Sequence, residues 1–548
     1  MKKSISEKKM KNCNLIAASV VVGMIFAVGA KTPTVMNIVN FVRGSEPRYP
    51  NRDLVLPLRE EIKLNSQYHL PNTILMQYDA MLRDDMVAAA KSAEQDKTEY
   101  GVWFELCRQL VEKCGIKWAG RDGWDWEWFV NPGFLMAYET HEREKLIDET
   151  FRLFKERFGA YPRVAGSWIL DAHSMNYMSE KYGMDGFCIC KEQDATDAYG
   201  LRGGYSNGIY YPSKVNAISP AVDMRNAIPV PLFRMLTPDP VYNYGRKENL
   251  KLAPYPYPGA CTLEPACPSA QHRNVVDWYF RTYSGPGLLG ISYMQAGQEN
   301  SFGWEAIGMG LPYQIRKISE LWSAGEIVVE TMGETGRKFK VNHRENIPQT
   351  QVALDHWSGN DYKSIWYNSK NYRVNIFYKD GKLQIRDIHK FNDSYAELHL
   401  KKPCKKWCCS YYTPPVVDAV MFANGNDSGM AEFGGEFCGL TVATPDEKTL
   451  VLTAPRPDGL PPAVITCREG RIDFDMGLTT DDWVRSCIKF RGGGCGGFFE
   501  DLDFPAGSVV MQFDGCRYEM PYLGDLKPSR SGWSLYPIGR NSALLLDR

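Results

Sequence analysis

The chain lacks an excess of positive charge, because 64 Lys and Arg are balanced by 65 Asp and Glu among its 548 residues, giving a net charge of −1 at pH 7. Proteins bind nucleic acid by placing a field of Lys and Arg against the phosphates, so we expect no nucleic acid partner. The GxxxxGK[ST] pattern of a phosphate-binding loop and the spacing of an EF-hand loop are also missing. The sequence therefore offers neither of these two sites.

Long hydrophobic runs are lacking too. The apolar stretch near the N-terminus, residues 15–28, is shorter than the roughly 20 residues that span a bilayer. Lysines precede it, and Val28, Gly29 and Ala30 supply the small residues that favour cleavage by signal peptidase. We therefore predict a signal peptide over residues 1–30, an exported protein in the periplasm or outside the cell, and no membrane partner after cleavage. An uncleaved anchor is the alternative.

Cysteine, in contrast, is present in 15 copies. Some of them would pair in an exported protein, although sequence does not fix the connectivity, and buried free thiols are the alternative. The candidates for pairing lie in the C-terminal half: Cys404, Cys408, Cys409, Cys487 and Cys495. Cys188 and Cys190 alternate in a strand-like run and so share one face, where we predict core packing rather than metal binding.

Between about residues 70 and 325, short apolar runs alternate with segments of helical periodicity. One helix is predicted to begin at a Thr140 N-cap and to end before Gly159. Strands separated by helices favour βαβ units and a parallel sheet that is buried on both faces. We therefore predict an α/β barrel, closed or nearly closed, over residues 31–335.

After residue 335 the pattern changes to short alternating runs separated by Gly, Pro, Asn and Asp. Asp380 and Gly381 lie between two such runs and predict a β-hairpin. Residues 336–548 are therefore predicted to form an all-β domain, sandwich-like in architecture.

Acidic residues recur where the apolar runs of the first half end: Asp79, Glu105, Asp171, Asp194 and Glu299. The active sites of β/α barrels collect at the carboxyl ends of the strands, so these side chains should converge on one mouth. Two carboxylates suit hydrolysis of a glycosidic bond, in which one acid protonates the leaving oxygen and the other acts as nucleophile or base. A helix cap or a salt bridge is the alternative role for each.

Glu299 is the first candidate for the general acid or base, because its loop has no adjacent basic residue and desolvation there would raise its pKa. Asp79 and Asp171 follow as nucleophile, base or ligand-orienting groups, and Glu105 completes the catalytic set. His173 is predicted to contact a sugar hydroxyl or the surroundings of Asp171, with a structural role as the alternative.

Tryptophan is concentrated near the predicted site, since six of the 14 Trp lie between residues 103 and 168. Residues 123–128 read GWDWEW, so their indoles share one face if the segment is extended. Indole faces stack on sugar rings and carboxylates bind hydroxyls, which makes this segment a predicted substrate wall. Its predicted binding residues are Trp118, Asp122, Trp124 and Trp126; burial of the indoles in the core is the alternative.

The loop at residues 191–204 is polar and long, which is typical of a binding loop. Asp194, Asp197 and Arg202 are its predicted substrate-binding residues.

Several segments resemble the glycoside hydrolase/deacetylase β/α-barrel superfamily, and in particular its exported bacterial branch with a C-terminal β domain. The resemblance covers roughly residues 35–340 and rests on ILMQYDAML, GVWFELC, WAGRDGWDWEW, FGAYPRVAGSWILDAHSMNYM, DATDAYGLRGGY and YMQAGQENSFGW. It implies a distorted (β/α)7 barrel that acts on an oligosaccharide or polysaccharide.

The metal-dependent deacetylases of that superfamily hold a divalent ion with an Asp-Asp strand end and a His-x-x-x-His pair. Asp79 matches the first position, but Ala80 follows it, and the 8 histidines include no His-x-x-x-His pair. This departure favours glycoside hydrolysis by carboxylates, without a cofactor.

The leading hypothesis is thus an exported glycoside hydrolase. One alternative is a metal-dependent carbohydrate deacetylase with different ligands, such as Asp79, His173 and His272, which would need a divalent metal. The other is a non-catalytic glycan-binding protein that keeps the Trp wall.

Overall fold

A computed structural model describes residues 34–193, 198–241, 262–285, 288–419, 430–457, 459–491, 499–529 and 532–547. The predicted signal peptide, Asp194, Asp197 and Cys495 lie outside these residues. Within them, none of the helices has the length and apolar character needed to cross a membrane.

The first part of the chain supplies the strands and helices of a barrel-like body. Its strands are β1 Thr34–Val42, β2 Asn72–Met76, β3 Thr98–Trp103, β4 Val164–Gly166, β5 Gly186–Cys190, β6 Tyr199–Arg202, β7 Ile209–Tyr210, β8 Pro212–Ser213, β9 Asn216–Pro220, β10 Leu232–Met235, β11 Ser292–Ala296 and β12 Val328–Glu330. Its α-helices are α1 Val55–Gln67, α2 Tyr78–Leu82, α3 Asp84–Lys91, α4 Arg108–Lys113, α5 Val130–Gly133, α6 Thr140–Phe158, α7 Ala172–Tyr182, α8 Arg273–Tyr283, α9 Trp304–Ser323 and α10 Met332–Asn342.

The barrel sheet has the strand order β11-β1-β2-β3-β4-β5-β10-β7, with β12 beside β1. Neighbours from β11 to β10 run parallel, and β7 is antiparallel to β10. Strands β1, β2, β5 and β11 are buried along their whole length, as expected for a sheet covered on both faces. The sheet is barrel-like and nearly closed. Its two end strands, β7 and β11, do not pair with each other in the described residues. The predicted parallel, barrel-like sheet is confirmed, whereas an exact (β/α)7 arrangement is not.

Helix α6 illustrates how local sequence sets an element's bounds. The side chain of Glu139 and that of Glu142 form a capping box, so the N-cap is Glu139, one residue before the predicted Thr140. Gly159 ends the helix in a left-handed conformation at φ 88° that glycine adopts without strain.

The second part of the chain is almost entirely β. Its strands are β13 Gln349–Ala353, β14 Tyr362–Asn368, β15 Tyr372–Lys379, β16 Lys382–Lys390, β17 Cys409–Tyr412, β18 Pro415–Asp418, β19 Ala431–Phe433, β20 Thr441–Ala443, β21 Leu450–Ala454, β22 Ala463–Arg468, β23 Arg471–Asp475, β24 Ile488–Arg491, β25 Asp501–Asp503, β26 Ser508–Phe513, β27 Cys516–Leu523, β28 Asp525–Ser529, β29 Gly532–Tyr536 and β30 Asn541–Leu545. Asp380 and Gly381, at φ 49° and 82°, form the predicted turn between β15 and β16.

Two antiparallel sheets make up this β domain. One runs β13-β14-β15-β16-β19-β24-β29-β28 with β18 beside β16, and the other runs β20-β21-β22-β23-β30-β27-β26-β25. Side chains from both sheets, such as Ile365, Val374, Leu452 and Phe474, share one hydrophobic core. This packing has the character of a sandwich.

The β domain is joined to the barrel by main-chain pairing and by buried charges. Strand β17 pairs in parallel with β6 of the barrel. Arg202 of β6 donates to Asp418 at 2.9 Å, and Arg373 of β15 lies 2.7 Å from Glu192 of the barrel. These contacts place the β domain against the loops that follow the barrel strands.

Candidate active site at the barrel mouth

The carboxyl ends of the barrel strands surround a cavity of about 540 Å³. Its lining residues that follow strands are Arg43 after β1, Glu105 after β3, Trp168 after β4, Lys191 and Gln193 after β5, and Glu299 after β11. Further aromatic surface comes from Tyr49, Trp126, Trp128, Phe134 and Tyr199. The volume lies within the range of about 300–1,000 Å³ that is typical of small-ligand sites.

Arg43 is the centre of the mouth. Its Nε and Nη2 donate to the two carboxyl oxygens of Glu105 at 2.7 and 2.8 Å. Its Nη1 donates to Oε1 of Glu299 at 2.9 Å and to Oγ of Ser301 at 2.8 Å. One buried guanidinium therefore bridges both carboxyl groups, which brings two of the predicted catalytic residues together.

Glu299 is buried, and one of its two carboxyl oxygens accepts no hydrogen bond from the described residues. Its Oε1 accepts hydrogen bonds from Arg43 and Ser301, whereas Oε2 has no hydrogen-bond partner among the described residues. Burial raises the pKa of Glu299 to about 7, although Arg43 acts to lower it, and the nearby charge of Glu105 adds to the rise. The group therefore holds a proton at mildly acidic to neutral pH beside the cavity, as a general acid must.

Glu105 has a different environment. It accepts the two bonds from Arg43 and a third, at 2.7 Å, from Nε1 of Trp103. An ionised carboxyl offers about four lone-pair sites, so these donors orient the group without saturating it. The sequence placed Glu105 after a strand, but only the fold shows its link to Arg43.

Arg43 and Glu264 are cavity residues that the sequence analysis missed. Glu264 accepts hydrogen bonds from Nε2 of Gln298 at 2.8 Å and from Sγ of Cys267 at 3.3 Å. The position of Arg43 could have been predicted from the sequence, because Arg43 follows the apolar run of β1 just as Glu105 follows β3. Glu264 follows no apolar run of the predicted barrel, so no pattern indicated it.

Asp79 and Asp171 are not brought to the cavity. Asp79, in the first turn of α2, accepts hydrogen bonds from the main-chain N–H of Gly44 at 2.9 Å and from Oγ of Ser45 at 2.8 Å. A Cβ on Gly44 would lie 2.5 Å from the backbone of Asp79, so this contact requires glycine. Burial raises the pKa of Asp79 despite both hydrogen bonds.

Asp171 is the N-cap of α7, with its side chain accepting from the main-chain N–H of Ser174 at 2.9 Å. It also pairs with Arg143 at 2.8 Å, and both side chains are fully buried. The expectation that it faces the mouth is corrected by this geometry, in which the helix N-terminus and Arg143 take up its charge.

The tryptophan segment divides between the cavity and the core. Trp126 and Trp128 line the cavity, and the guanidinium of Arg43 lies 4.2 Å from the ring centre of Trp126. Trp124 packs against Trp128 at 5.4 Å, while Trp118 is buried and donates to the carbonyl of Trp124. Residues 123–128 form no strand, so the extended-strand premise for a shared face does not hold.

The remaining predicted binding residues lie elsewhere. Asp122 is exposed and does not line the cavity. His173 contacts Glu144 on α6 at 3.1 Å. Arg202 is buried in the ion pair with Asp418, which corrects its assignment to a substrate-binding loop.

The deacetylase type of metal site does not fit these residues. Both oxygens of Asp79 are engaged by Gly44 and Ser45, and Ala80 offers no ligand. In the described part of the chain, the groups of three metal-ligand atoms within 4.8 Å of one another are His399, Cys404 and Cys409, and Asp387, His389 and Asp418. Neither group includes Asp79, His173 or His272, the alternative ligand set.

No family model matches this chain, and no curated protein matches it. Among solved structures, a candidate glycoside hydrolase/deacetylase from Parabacteroides distasonis is similar with a TM-score of 0.50 and 15% identity, over 71% of this chain and 93% of that one. A candidate polysaccharide deacetylase from Mycobacterium smegmatis has a TM-score of 0.34 and 10% identity, over 57% and 93% of the two chains. Peptidoglycan deacetylase PdaC from Bacillus subtilis has a TM-score of 0.27 and 10% identity, over 57% and 96%.

The similarity to the candidate glycoside hydrolase/deacetylase from Parabacteroides distasonis, at 15% identity, confirms at the level of fold the resemblance seen in the sequence. Fold alone does not assign a reaction, because function depends on the residues of the site, here those that line the cavity at the barrel mouth.

Proposed function

We propose that the protein is a carbohydrate-active hydrolase that cleaves glycosidic bonds of an oligosaccharide or polysaccharide at the barrel mouth. The observation that carries the proposal is the pair formed by Glu299 and Glu105 around Arg43. Glycoside hydrolysis requires a protonated acid and an ionised carboxylate on the same cavity. Glu299 has the raised pKa that suits the acid, and Glu105, which accepts hydrogen bonds from Arg43 and Trp103, is the second carboxyl group on the cavity.

In the proposed reaction, Glu299 donates its proton to the glycosidic oxygen. The bond from this oxygen to the anomeric carbon breaks, and the electron pair stays on the oxygen. Glu105 faces the positive charge that develops on the sugar, as nucleophile or as the base that activates water. Water adds its hydroxyl to the anomeric carbon, and its remaining proton returns to the carboxyl pair.

The walls of the cavity suit such a substrate. Trp128 and Trp168 provide apolar surface for sugar rings, and Arg48, Arg52 and Lys191 supply donors for hydroxyl groups. The cavity therefore combines aromatic faces with charged and polar groups, as contact with both sugar rings and hydroxyl groups requires.

The test is a screen of the purified protein against defined oligosaccharides, with new reducing ends and released acetate measured in the same reactions. We expect reducing ends, and we expect Glu299→Gln to lower kcat by about 10²–10⁴-fold, the usual contribution of a general acid. Acetate without reducing ends would instead establish deacetylation. A retained glycan with neither product would establish a binding protein.

Glu61→Gln is the matched control. Glu61 on α1 is also a buried glutamate, neither of its oxygens has a hydrogen-bond partner in the described structure, and it does not line the cavity. Burial raises the pKa of Glu61, and the substitution exchanges its carboxyl for an amide of the same shape without removing a hydrogen bond. We expect unchanged kcat in this variant.

A further inference from the structure

We propose that His399, Cys404 and Cys409 bind a zinc ion that closes the loop at residues 399–409, which packs against the barrel. One ligand atom from each residue lies within 4.8 Å of the other two. Atoms bound to one tetrahedral zinc, at about 2.0–2.3 Å from the metal, lie within about 4 Å of one another, so small side-chain adjustments complete the site. This proposal does not depend on the proposed function.

The chemistry of the ligand set selects the metal. One imidazole and two thiols form a soft set that favours zinc over calcium or magnesium, which prefer oxygen. Cys404 and Cys409 are buried, and His399 is half-buried, so an ion could reach the site from the histidine side. Three protein ligands leave the fourth position of zinc to water.

The ring of His399 has a main-chain hydrogen-bond partner. Its Nδ1 lies 3.2 Å from the carbonyl oxygen of Lys402, to which it can donate a hydrogen bond. With the proton on Nδ1, Nε2 carries the lone pair that a metal needs. A hydrogen bond from the second ring nitrogen to a main-chain carbonyl is a regular feature of histidine ligands.

The main chain of each ligand is also held by the barrel. Arg143 donates to the carbonyl of His399 at 2.9 Å. The N–H of Cys404 donates to the carbonyl of Met136 at 2.7 Å, and that of Cys409 to the carbonyl of Ala198 at 3.1 Å. The ligands are therefore positioned by the fold before any metal binds, which lowers the entropic cost of binding.

The second group of candidate ligands, Asp387, His389 and Asp418, is less suited to a metal ion because arginines already bind its carboxylates. Arg373 donates to both oxygens of Asp387, at 2.9 and 2.7 Å, and Arg202 donates to Asp418 at 2.9 Å. Two guanidinium groups already neutralise these carboxylates, so an added dication would meet positive charge. The cluster at His399 is the better metal site.

The proposed zinc lies next to the wall of the mouth. Cys409 is the register partner of Tyr199, which lines the cavity. Between the two cysteines, Trp407 stacks on Phe129 at 5.0 Å, close to the tryptophan segment. A metal at this position would therefore fix the conformation of the loop that contacts Tyr199 and Phe129.

The experiment measures zinc in the full-length protein purified under reducing conditions with zinc present. We expect about one zinc per chain, the stoichiometry of a single structural site. After removal by a chelator, Co²⁺ should restore the occupancy with the strong visible bands of tetrahedral cobalt and a thiolate-to-cobalt band. This measurement on the unaltered chain does not depend on any variant folding.

Variants assign the ligands. His399→Ala, Cys404→Ser and Cys409→Ser should each lower bound zinc at least about tenfold, because a lost ligand costs that much affinity or more. Cys408→Ser is the matched control, because Cys408 is exposed and lies outside the ligand group. The Cys408→Ser protein should keep its bound zinc. A zinc-free purified protein, zinc retained in the His399 and Cys404 variants, or a Cys404–Cys409 disulfide found by mass spectrometry in metal-free protein would overturn the proposal.

Discussion

Glu299 at the barrel mouth and Glu192 at the boundary with the β domain are both buried glutamates that follow barrel strands and contact an arginine. Burial acts to raise the pKa of Glu192, but Arg373, Arg202 and Arg234 outweigh it and bring the pKa to about 2. Glu299 shares Arg43 with Glu105, and burial raises the pKa of Glu299 to about 7.

The arginines that act on each glutamate therefore separate a structural carboxylate from a candidate acid catalyst. At Glu192, the guanidinium groups of Arg373, Arg202 and Arg234 together lower the pKa, although Arg373 also binds Asp387 and Arg202 also binds Asp418. At Glu299, Arg43 also binds Glu105 and lies 3.7 Å from Glu46, and its charge does not outweigh the effect of burial, so the pKa is raised. The predictions below test this contrast.

The largest effect is expected from Glu192→Gln. The substitution removes one of the two acids that bind Arg373, at 2.7 Å, and leaves Asp387 as the remaining acidic partner of this fully buried guanidinium. Breaking one side of a buried ion pair typically costs about 3–5 kcal/mol of unfolding free energy. Denaturant unfolding measures the loss, and Glu61→Gln, which removes no ion pair, should change stability far less. Equal stability of the two variants would contradict a structural role for Glu192.

The pH dependence of stability should differ between the two glutamates. For Glu299 the folded-state pKa is raised from 4.5 to about 7, so the folded state binds more protons between these values and stability falls as pH rises through this window. The shift corresponds to a change of about 3 kcal/mol. For Glu192 the pKa is lowered from 4.5 to about 2, so stability is lost as pH falls through that window.

Unfolding measured across pH in Glu299→Gln and Glu192→Gln separates the two windows. The first variant should lose the decline between pH 4.5 and 7, and the second should lose the decline toward pH 2. A Glu299→Gln profile that matches the unsubstituted protein would show that Glu299 titrates normally.

Glu105→Gln should lower kcat by about 100-fold or more, because a carboxylate that faces the developing positive charge is replaced by a neutral amide. The variant should also lower the pKa of Glu299, since the charge of Glu105 contributes to its rise. The alkaline limb of the kcat/KM profile would then move to lower pH. Glu264→Gln provides the comparison within the same cavity; a larger kcat loss there would assign the second carboxylate to Glu264.

The smallest effect is expected from the aromatic wall. Trp128→Ala should raise KM about two- to tenfold, the equivalent of an aromatic contact of about 0.5–1.5 kcal/mol. Trp124 packs against Trp128 but does not line the cavity, so Trp124→Ala is the matched control and should leave KM nearly unchanged. Equal KM values in both variants would remove Trp128 from the substrate wall.

Much of the fold was predictable because its signals are local. Helix α6 and the turn at Asp380 and Gly381 follow from periodicity, capping and backbone preference within a few residues. The alternation of strands and helices similarly predicted the parallel sheet. Glu299 was selected on the composition of its own loop.

The candidate site was predictable only in part, because its contacts are distant in the chain. Arg43 is 62 residues from Glu105 and 256 residues from Glu299, and no local pattern links them. Asp171 follows an apolar run as Glu105 does, yet it caps a helix and pairs with Arg143. From the sequence alone, both acids were interpreted in the same way, because the sequence does not show which arginine each acid contacts in the folded protein.

The sequence by itself determined the order of strands and helices, the change to β structure after residue 335, and the presence of acids where strands end. Only the tertiary structure decided which acids reach the cavity and which are neutralised. The physical reason is that secondary structure depends on near neighbours, whereas the protonation state of a buried carboxyl depends on the number of charges that the fold gathers around it.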